Sequence, residues 1–150
     1  MPNKAEELKE KGICPSCHNM KYGGIFADIT ERLLYEDDLL LCFLEENPRS
    51  IGHTIILIKP HYHDMSEIPD ELCSHVYCFA KKVMNALLEA SGAERVYLCT
   101  MCDGPVNHYH VQLIPRHHGV KIGSYNFVNP REKYIHNEAI VCKLRMLLNS

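Results

Sequence analysis

The stretch Asn107-His108-Tyr109-His110-Val111-Gln112-Leu113-Ile114-Pro115-Arg116 gathers groups able to attack, bind or hold an anion. Side chains alternate along a strand. His108, His110, Gln112 and Ile114 therefore share one face, and Tyr109, Val111 and Leu113 the other. Two imidazoles and an amide are costly to bury without partners. On residue types alone, a polar strand facing solvent competes with a reactive site. Arg116, His117, His118 and Lys121 follow at once and offer positive charge to a phosphate. A second constellation is Cys14-Pro15-Ser16-Cys17, expected in a turn over residues 13–17. Its spacing serves zinc sites, redox sites and chance alike. A thioredoxin-like site wants a strand before the pair and a long helix after it. Gly12 precedes this pair and Asn19-Met20-Lys21-Tyr22-Gly23-Gly24 follows, which counts against redox chemistry. Two histidines would complete a tetrahedral Cys₂His₂ set.

These groups need a frame. Residues 32–36 and 39–45 read as strands around the Glu36-Asp37-Asp38 corner, and 51–58 as a β-branched, apolar strand. Leu72, Val76, Phe79, Ala80, Val83, Met84, Leu87 and Leu88 follow the helical rhythm. Pro69-Asp70-Glu71 opens that long helix and Ser91-Gly92 ends it. Strands over 95–101 and 108–115 flank a turn at Asp103-Gly104-Pro105. Short helices are expected over 4–11 and from Ile140 to Leu148, with an aperiodic functional loop over 117–136. Strands neighbouring in sequence around one long helix give an α+β domain. Residues 1–150 form one such unit, with the cysteine pair in an N-terminal segment, 1–20, and a C-terminal loop and helix over 117–150.

An apolar share of 46% against 23% charged residues supplies enough apolar surface to offset ordering entropy, which excludes whole-chain disorder. No apolar run approaches the length of a membrane-spanning helix, so no membrane partner is expected. The N-terminus lacks an apolar signal core, which points to a cytoplasmic protein with reduced thiols. Cys42, Cys73, Cys78, Cys99 and Cys142 sit singly in apolar stretches and are expected as buried, inert thiols. A net charge of −3 argues against a broad nucleic-acid footprint, though not against a small nucleotide.

His108-Tyr-His110-Val-Gln112-Leu-Ile-Pro115-Arg116 resembles the signature of the histidine triad (HIT) superfamily, His-φ-His-φ-His-φ-φ with φ apolar, often followed by Pro-Arg. Gln112 stands at the third histidine, as in the galactose-1-phosphate uridylyltransferase and dinucleoside-polyphosphate phosphorylase branches. The resemblance continues upstream in Phe43-Leu44-Glu45-x-x-Pro48 and Gly52-His53-Thr54, with Glu45 for the usual Asp, and in Ile58-Lys59-Pro60-His61. It covers residues from about Cys14 to Arg116.

The resemblance implies a five-stranded antiparallel sheet with one long and one or two short helices, paired as a two-fold homodimer. It implies a nucleotide-conjugate substrate, a hydrolase or nucleotidyltransferase acting at the α-phosphate, and a nucleotidyl-histidine intermediate. His110 would be the nucleophile, its other ring nitrogen donating to a backbone carbonyl near His108. Gln112 would hold a phosphoryl oxygen but cannot act as acid or base. Phe43, Glu45, Asn107 and Arg116 would complete the substrate site, with Glu45 on the ribose hydroxyls. His108, the first residue of the triad, would also join Cys14, Cys17 and His61 around a structural zinc, with His63 as the alternative to His61. Branches with three histidines carry a hydroxyl residue just before the motif that contacts phosphate. Asp103-Gly104-Pro105-Val106 aligns there, and Pro105 has neither hydroxyl nor N–H, so that contact does not carry over. The alternative reading is a zinc-stabilised nucleotide-binding or sensing module.

Overall fold

The computed structural model describes residues 1–101 and 103–150. Five strands form one antiparallel sheet: β1 (Leu33–Glu36), β2 (Leu40–Leu44), β3 (Thr54–Ile58), β4 (Arg95–Cys99) and β5 (His110–Arg116), in the order β1-β2-β3-β5-β4. The helices are α1 (Lys4–Glu10), α2 (Pro15–Tyr22), α3 (Asp70–Ser91), α4 (Tyr125–Val128) and α5 (Glu138–Leu148). The sheet and the long helix match the expectation, and α2 and α4 add to it.

Alternation along the strands sorts the sheet into two faces. Leu40, Cys42, Ile56, Ile58, Val111 and Leu113 point to the α3 and α5 side, where Val76, Val83, Leu87, Val141 and Leu144 complete the buried core. Helix α3 begins with Asp70 and Glu71 in its first turn and ends at Gly92, whose φ of 69° is the left-handed cap position. Helix α5 also covers the β1 edge. Arg145 Nε donates to Leu33 O at 2.9 Å and Asn149 Nδ2 to Leu34 O at 2.9 Å, so α5 takes up the carbonyls at the start of that edge.

The opposite face becomes the floor of the site. Register places Leu41 against Leu57 and Leu57 against His110, and beside them Phe43 against Ile55 and Ile55 against Gln112. Two rows of apolar side chains thus each end in one polar group on β5.

Several expectations change. Strand β3 starts at Thr54 rather than Ile51, because Gly52 turns the chain at φ 91°. A Cβ there would lie 3.1 Å from Pro115 Cγ and 3.2 Å from Leu87 Cδ2, so the turn packs tightly on β5 and α3. Strand β4 ends at Cys99 and β5 begins at His110. The 13–17 turn is the start of α2, with the Cys14 sulfur capping it by accepting the Cys17 N–H. Of the five single cysteines expected in the core, Cys42 is buried, Cys73 and Cys99 are partly buried, and Cys78 and Cys142 are exposed. Cys78 falls outside the stripe of α3 formed by Val76, Phe79, Ala80 and Val83.

Candidate active site

His108 and His110 bracket the entry to β5, and each is fixed by a carbonyl. The His108 Nε2–H donates to Ile58 O at 2.7 Å, so its Nδ1 carries the lone pair. That Nδ1 lies 3.5 Å from Cys14 Sγ, 3.4 Å from Cys17 Sγ and 3.2 Å from His61 Nδ1, and Cys17 Sγ lies 3.3 Å from His61 Nδ1. All four ligand atoms fall within 4.8 Å of one another. A tetrahedral zinc bound at usual lengths has ligand-to-ligand edges of roughly 3.3–3.8 Å, so the set fits an S₂N₂ tetrahedral metal. The Ile58 carbonyl gives the His108 ligand its outer partner. Burial holds His108 below its ordinary 6.5, in the neutral form that can ligate. Without a cation, burial and then Cys14 push the Cys17 thiol up to about 11, so thiolate there calls for positive charge. His63, the alternative to His61, stays outside the group. Its Nδ1 lies 3.2 Å from Glu67 Oε2.

The His110 Nδ1–H donates to His108 O at 2.9 Å. A carbonyl can only accept, so Nδ1 bears the proton and Nε2 the lone pair. The same residue therefore supplies a metal ligand from its side chain and an orienting carbonyl from its backbone.

Gln112 is 5% exposed, so the solvent-facing strand gives way to a buried amide with a partner. That partner is His53, fully buried, whose Nδ1 accepts the Arg49 N–H at 3.0 Å. The proton then resides on His53 Nε2, which donates to Gln112 Oε1 at 2.9 Å. Burial holds His53 below its ordinary 6.5, consistent with this neutral tautomer. The chain of donors ends by fixing the Gln112 amide: its oxygen faces His53 and its NH₂ is left to donate elsewhere.

Both His110 and Gln112 line a cavity of about 320 Å³, at the small end for a small-molecule site. Ser16, Asn19 and Met20 from α2, then Phe26, Ala27 and Ile29, wall one side. Leu41, Phe43, Ile55 and Leu57 form the floor, and Glu45, Glu46 and Arg131 stand at the rim. Arg32, 6% exposed, donates to Leu44 O at 2.7 Å and to Asp28 O at 3.3 Å, which ties the 27–28 wall to β2. Segment 129–134 runs beside the 46–49 loop: Glu132 N donates to Pro48 O and Tyr134 N to Glu46 O, both at 2.9 Å. Arg131 Nη1 donates to Asn47 O at 2.9 Å, which carries its guanidinium to the cavity.

Residues 27–119 match the HIT domain. The chain belongs to the HIT family. An uncharacterized HIT-like protein of Methanocaldococcus jannaschii is 34% identical over 114 residues, 70% of this chain and 87% of the relative. The adenosine 5'-monophosphoramidase hnt1 of Schizosaccharomyces pombe is 31% identical over 128 residues, 79% of this chain and 92% of the relative. The crystal structure of a Zn-bound histidine triad family protein from Mycobacterium smegmatis shares the fold with a TM-score of 0.69 at 22% identity, covering 91% of this chain and 93% of that one.

In this HIT domain Phe43, Glu45, His110 and Gln112 share one cavity, and Cys14, Cys17, His61 and His108 meet beside it. Asn107 and Arg116 do not line it. Asn107 donates its amide to His63 O at 2.5 Å. Arg116 lies six residues along β5 from His110, roughly 20 Å for an extended strand, and binds Glu94 at 3.0 Å. His117 Nε2 lies 2.8 Å from Ile51 O, so His117 is held by the 51–53 turn rather than by the cavity. His53 and Arg131 were not singled out as site residues. His53 stood in the Gly-His-Thr match, where its type and place were the available signal. Nothing local marks Arg131, which reaches the site only because 129–134 folds back on 46–49.

Proposed function

We propose that this HIT protein is a nucleotidyl hydrolase or transferase acting at the α-phosphorus of a nucleotide conjugate. The observation that carries the reading is the His110 Nδ1–H bond to His108 O, which leaves Nε2 as a lone pair in the cavity. Nε2 attacks phosphorus, the bond to the leaving group breaks with its electron pair, and a nucleotidyl-His110 forms. The positive charge that develops on the ring is relieved by the Nδ1–H bond to the carbonyl. The Gln112 NH₂ donates to a non-bridging oxygen. Water or another acceptor then attacks the same phosphorus, the P–Nε2 bond breaks with its electron pair returning to the ring, the acceptor's proton passes to solvent, and neutral His110 is restored. Phe43 offers an apolar face to the nucleoside, and Glu45 accepts from the ribose hydroxyls.

Gln112 has no proton to lend near neutral pH, so the leaving group departs unassisted and water is poorly activated. This favours good leaving groups, and acceptors better than water. The fission yeast relative is named an adenosine 5'-monophosphoramidase, which supports including nucleoside phosphoramidates with dinucleoside polyphosphates in the proposed substrate class.

Cys14, Cys17, His61 and His108 are proposed to hold zinc, which would fix α2 and the His108 carbonyl and take no part in bond making. The protein is further proposed to act as a homodimer, since β4 is a terminal strand whose outer edge could pair with a second copy. Among the described residues no helix is long and apolar enough to cross a membrane.

The test is a panel of nucleotide conjugates incubated with and without inorganic phosphate or a sugar phosphate, products read by mass spectrometry. Intact mass after a quench that avoids acid reads the His110 adduct. Nucleotide affinity with no product from any conjugate would instead support the sensing module.

A further inference from the structure

We propose that Asn19 reads the base of the bound nucleotide and selects a keto group over an amino group at the position it faces. The inference rests on the nucleotide reading above. Helix α2 ends at Gly23, and Gly23 and Gly24 adopt φ of 70° and 81°, a reversal open to glycine that other residues rarely make. The chain returns past its own helix, and Ile25 N–H and Phe26 N–H both donate to Asn19 Oδ1, at 3.0 and 3.1 Å. An atom that accepts from two backbone donors must be the amide oxygen. The other end of Asn19 is therefore the NH₂, with two protons to give and no lone pair to offer.

Asn19 lines the cavity together with Met20, Phe26, Ile29 and Leu41, an apolar surround suited to a flat ring, and the NH₂ is the end of its side chain left to meet one. The same residues also border an adjoining open groove that neither His110 nor Gln112 reaches. They thus mark the end of the cavity remote from the phosphorus, where the base must lie if its phosphate sits on His110. Among the other polar lining groups, Arg32 gives donors to the carbonyls of Ala27, Asp28 and Leu44. The Ser16 hydroxyl can donate or accept, so it does not discriminate.

Guanine O6 and uracil O4 are acceptors, whereas adenine N6 and cytosine N4 are amino donors at the same ring positions. Asn19 meets the first pair with a hydrogen bond and the second with two donors face to face. The pinned loop makes the amide a fixed donor rather than one that can flip to suit either base.

Isothermal titration with GMP, UMP, AMP and CMP tests this on the metal-replete protein. Wild type should bind GMP over AMP, and UMP over CMP, by about tenfold, the worth of one good hydrogen bond. Asn19→Asp keeps an oxygen for the Ile25 and Phe26 N–H groups and replaces the donors by an acceptor. It should reverse the order within each pair while melting close to wild type. Equal binding within both pairs by wild type, or an unchanged order in Asn19→Asp, would overturn the proposal and leave the nucleotide reading standing. Failure of all four nucleotides to bind would overturn both.

Discussion

Replacing His53 by leucine tests how the Gln112 amide is held. The side chain is fully buried and satisfies two groups, the Arg49 N–H at 3.0 Å and Gln112 Oε1 at 2.9 Å. Leucine fills similar space and satisfies neither. Each orphaned group costs about 1–3 kcal/mol, so the fold should lose about 2–6 kcal/mol. In a domain of this size each kcal/mol lowers the melting point by roughly 2–4 °C, and a fall of roughly 10–15 °C is expected for a mid-range loss. Turnover should fall further than unfolding explains, because Gln112 can then present its oxygen to the phosphoryl group instead of its NH₂. We expect kcat to drop about 100-fold, the scale seen when one donor to a developing charge is lost, with KM little changed. A double-mutant cycle separates position from mere stability. In a Gln112→Ala background, His53→Leu should still lower the melting point but should scarcely change kcat further. Independent effects of the two changes on kcat would refute the idea that His53 acts through Gln112.

His110→Ala should abolish turnover, by about a millionfold if it behaves like other lost nucleophiles, while nucleotide affinity persists; near-wild-type rates would sink the covalent route. Gln112→His should speed hydrolysis of an alkylamine phosphoramidate more than that of a conjugate with an activated leaving group, because imidazole can deliver a proton. Equal gains on both would mean that protonation is not what wild type lacks. Chelation, or Cys14→Ser, should lower both the melting point and nucleotide affinity, since Cys14 and Cys17 of the proposed metal site cap and open α2, which also carries Ser16, Asn19 and Met20 of the cavity wall; metal-free protein that melts and binds as before would rule out the proposed site. For pH, burial keeps the folded-state value of His53 below 6.5, so below that pH the unfolded chain takes up a proton that the fold refuses. The stability is complete above 6.5 and declines as pH falls toward the folded value. Melting curves of His53→Leu should show a shallower acid decline than wild type, and parallel curves would contradict it.

The long helix was readable because its buried positions repeat with the helical period, and β2, β3 and β5 because apolar and β-branched residues run through them. The proposed nucleophile, the amide and the candidate metal ligands were nameable because short motifs around His108, His110 and Gln112, Lys59-Pro60-His61 and Cys14/Cys17 carry a family resemblance. The limits have equally particular causes. Alternation put His110 and Gln112 on one face, but a period of two cannot say whether that face meets water or a wall. The wall came from α2, whose Pro-Ser-Cys-His-Asn opening looks like a turn until the Cys14 sulfur caps it.

Residue types and spacing determined that two imidazoles and a proton-silent amide share one strand face and that a close cysteine pair lies upstream; the family resemblance supplied the roles proposed for them. Tertiary structure decided which carbonyl fixes each tautomer, that His53 orients Gln112, that Arg116 pairs with Glu94 instead of facing the cavity, and that Arg131 reaches it. The reason lies in distance along the chain. Hydrogen bonds between Ile58 and His108, or between His53 and Gln112, join residues 50 and 59 positions apart, and strand register, not local pattern, brings them together.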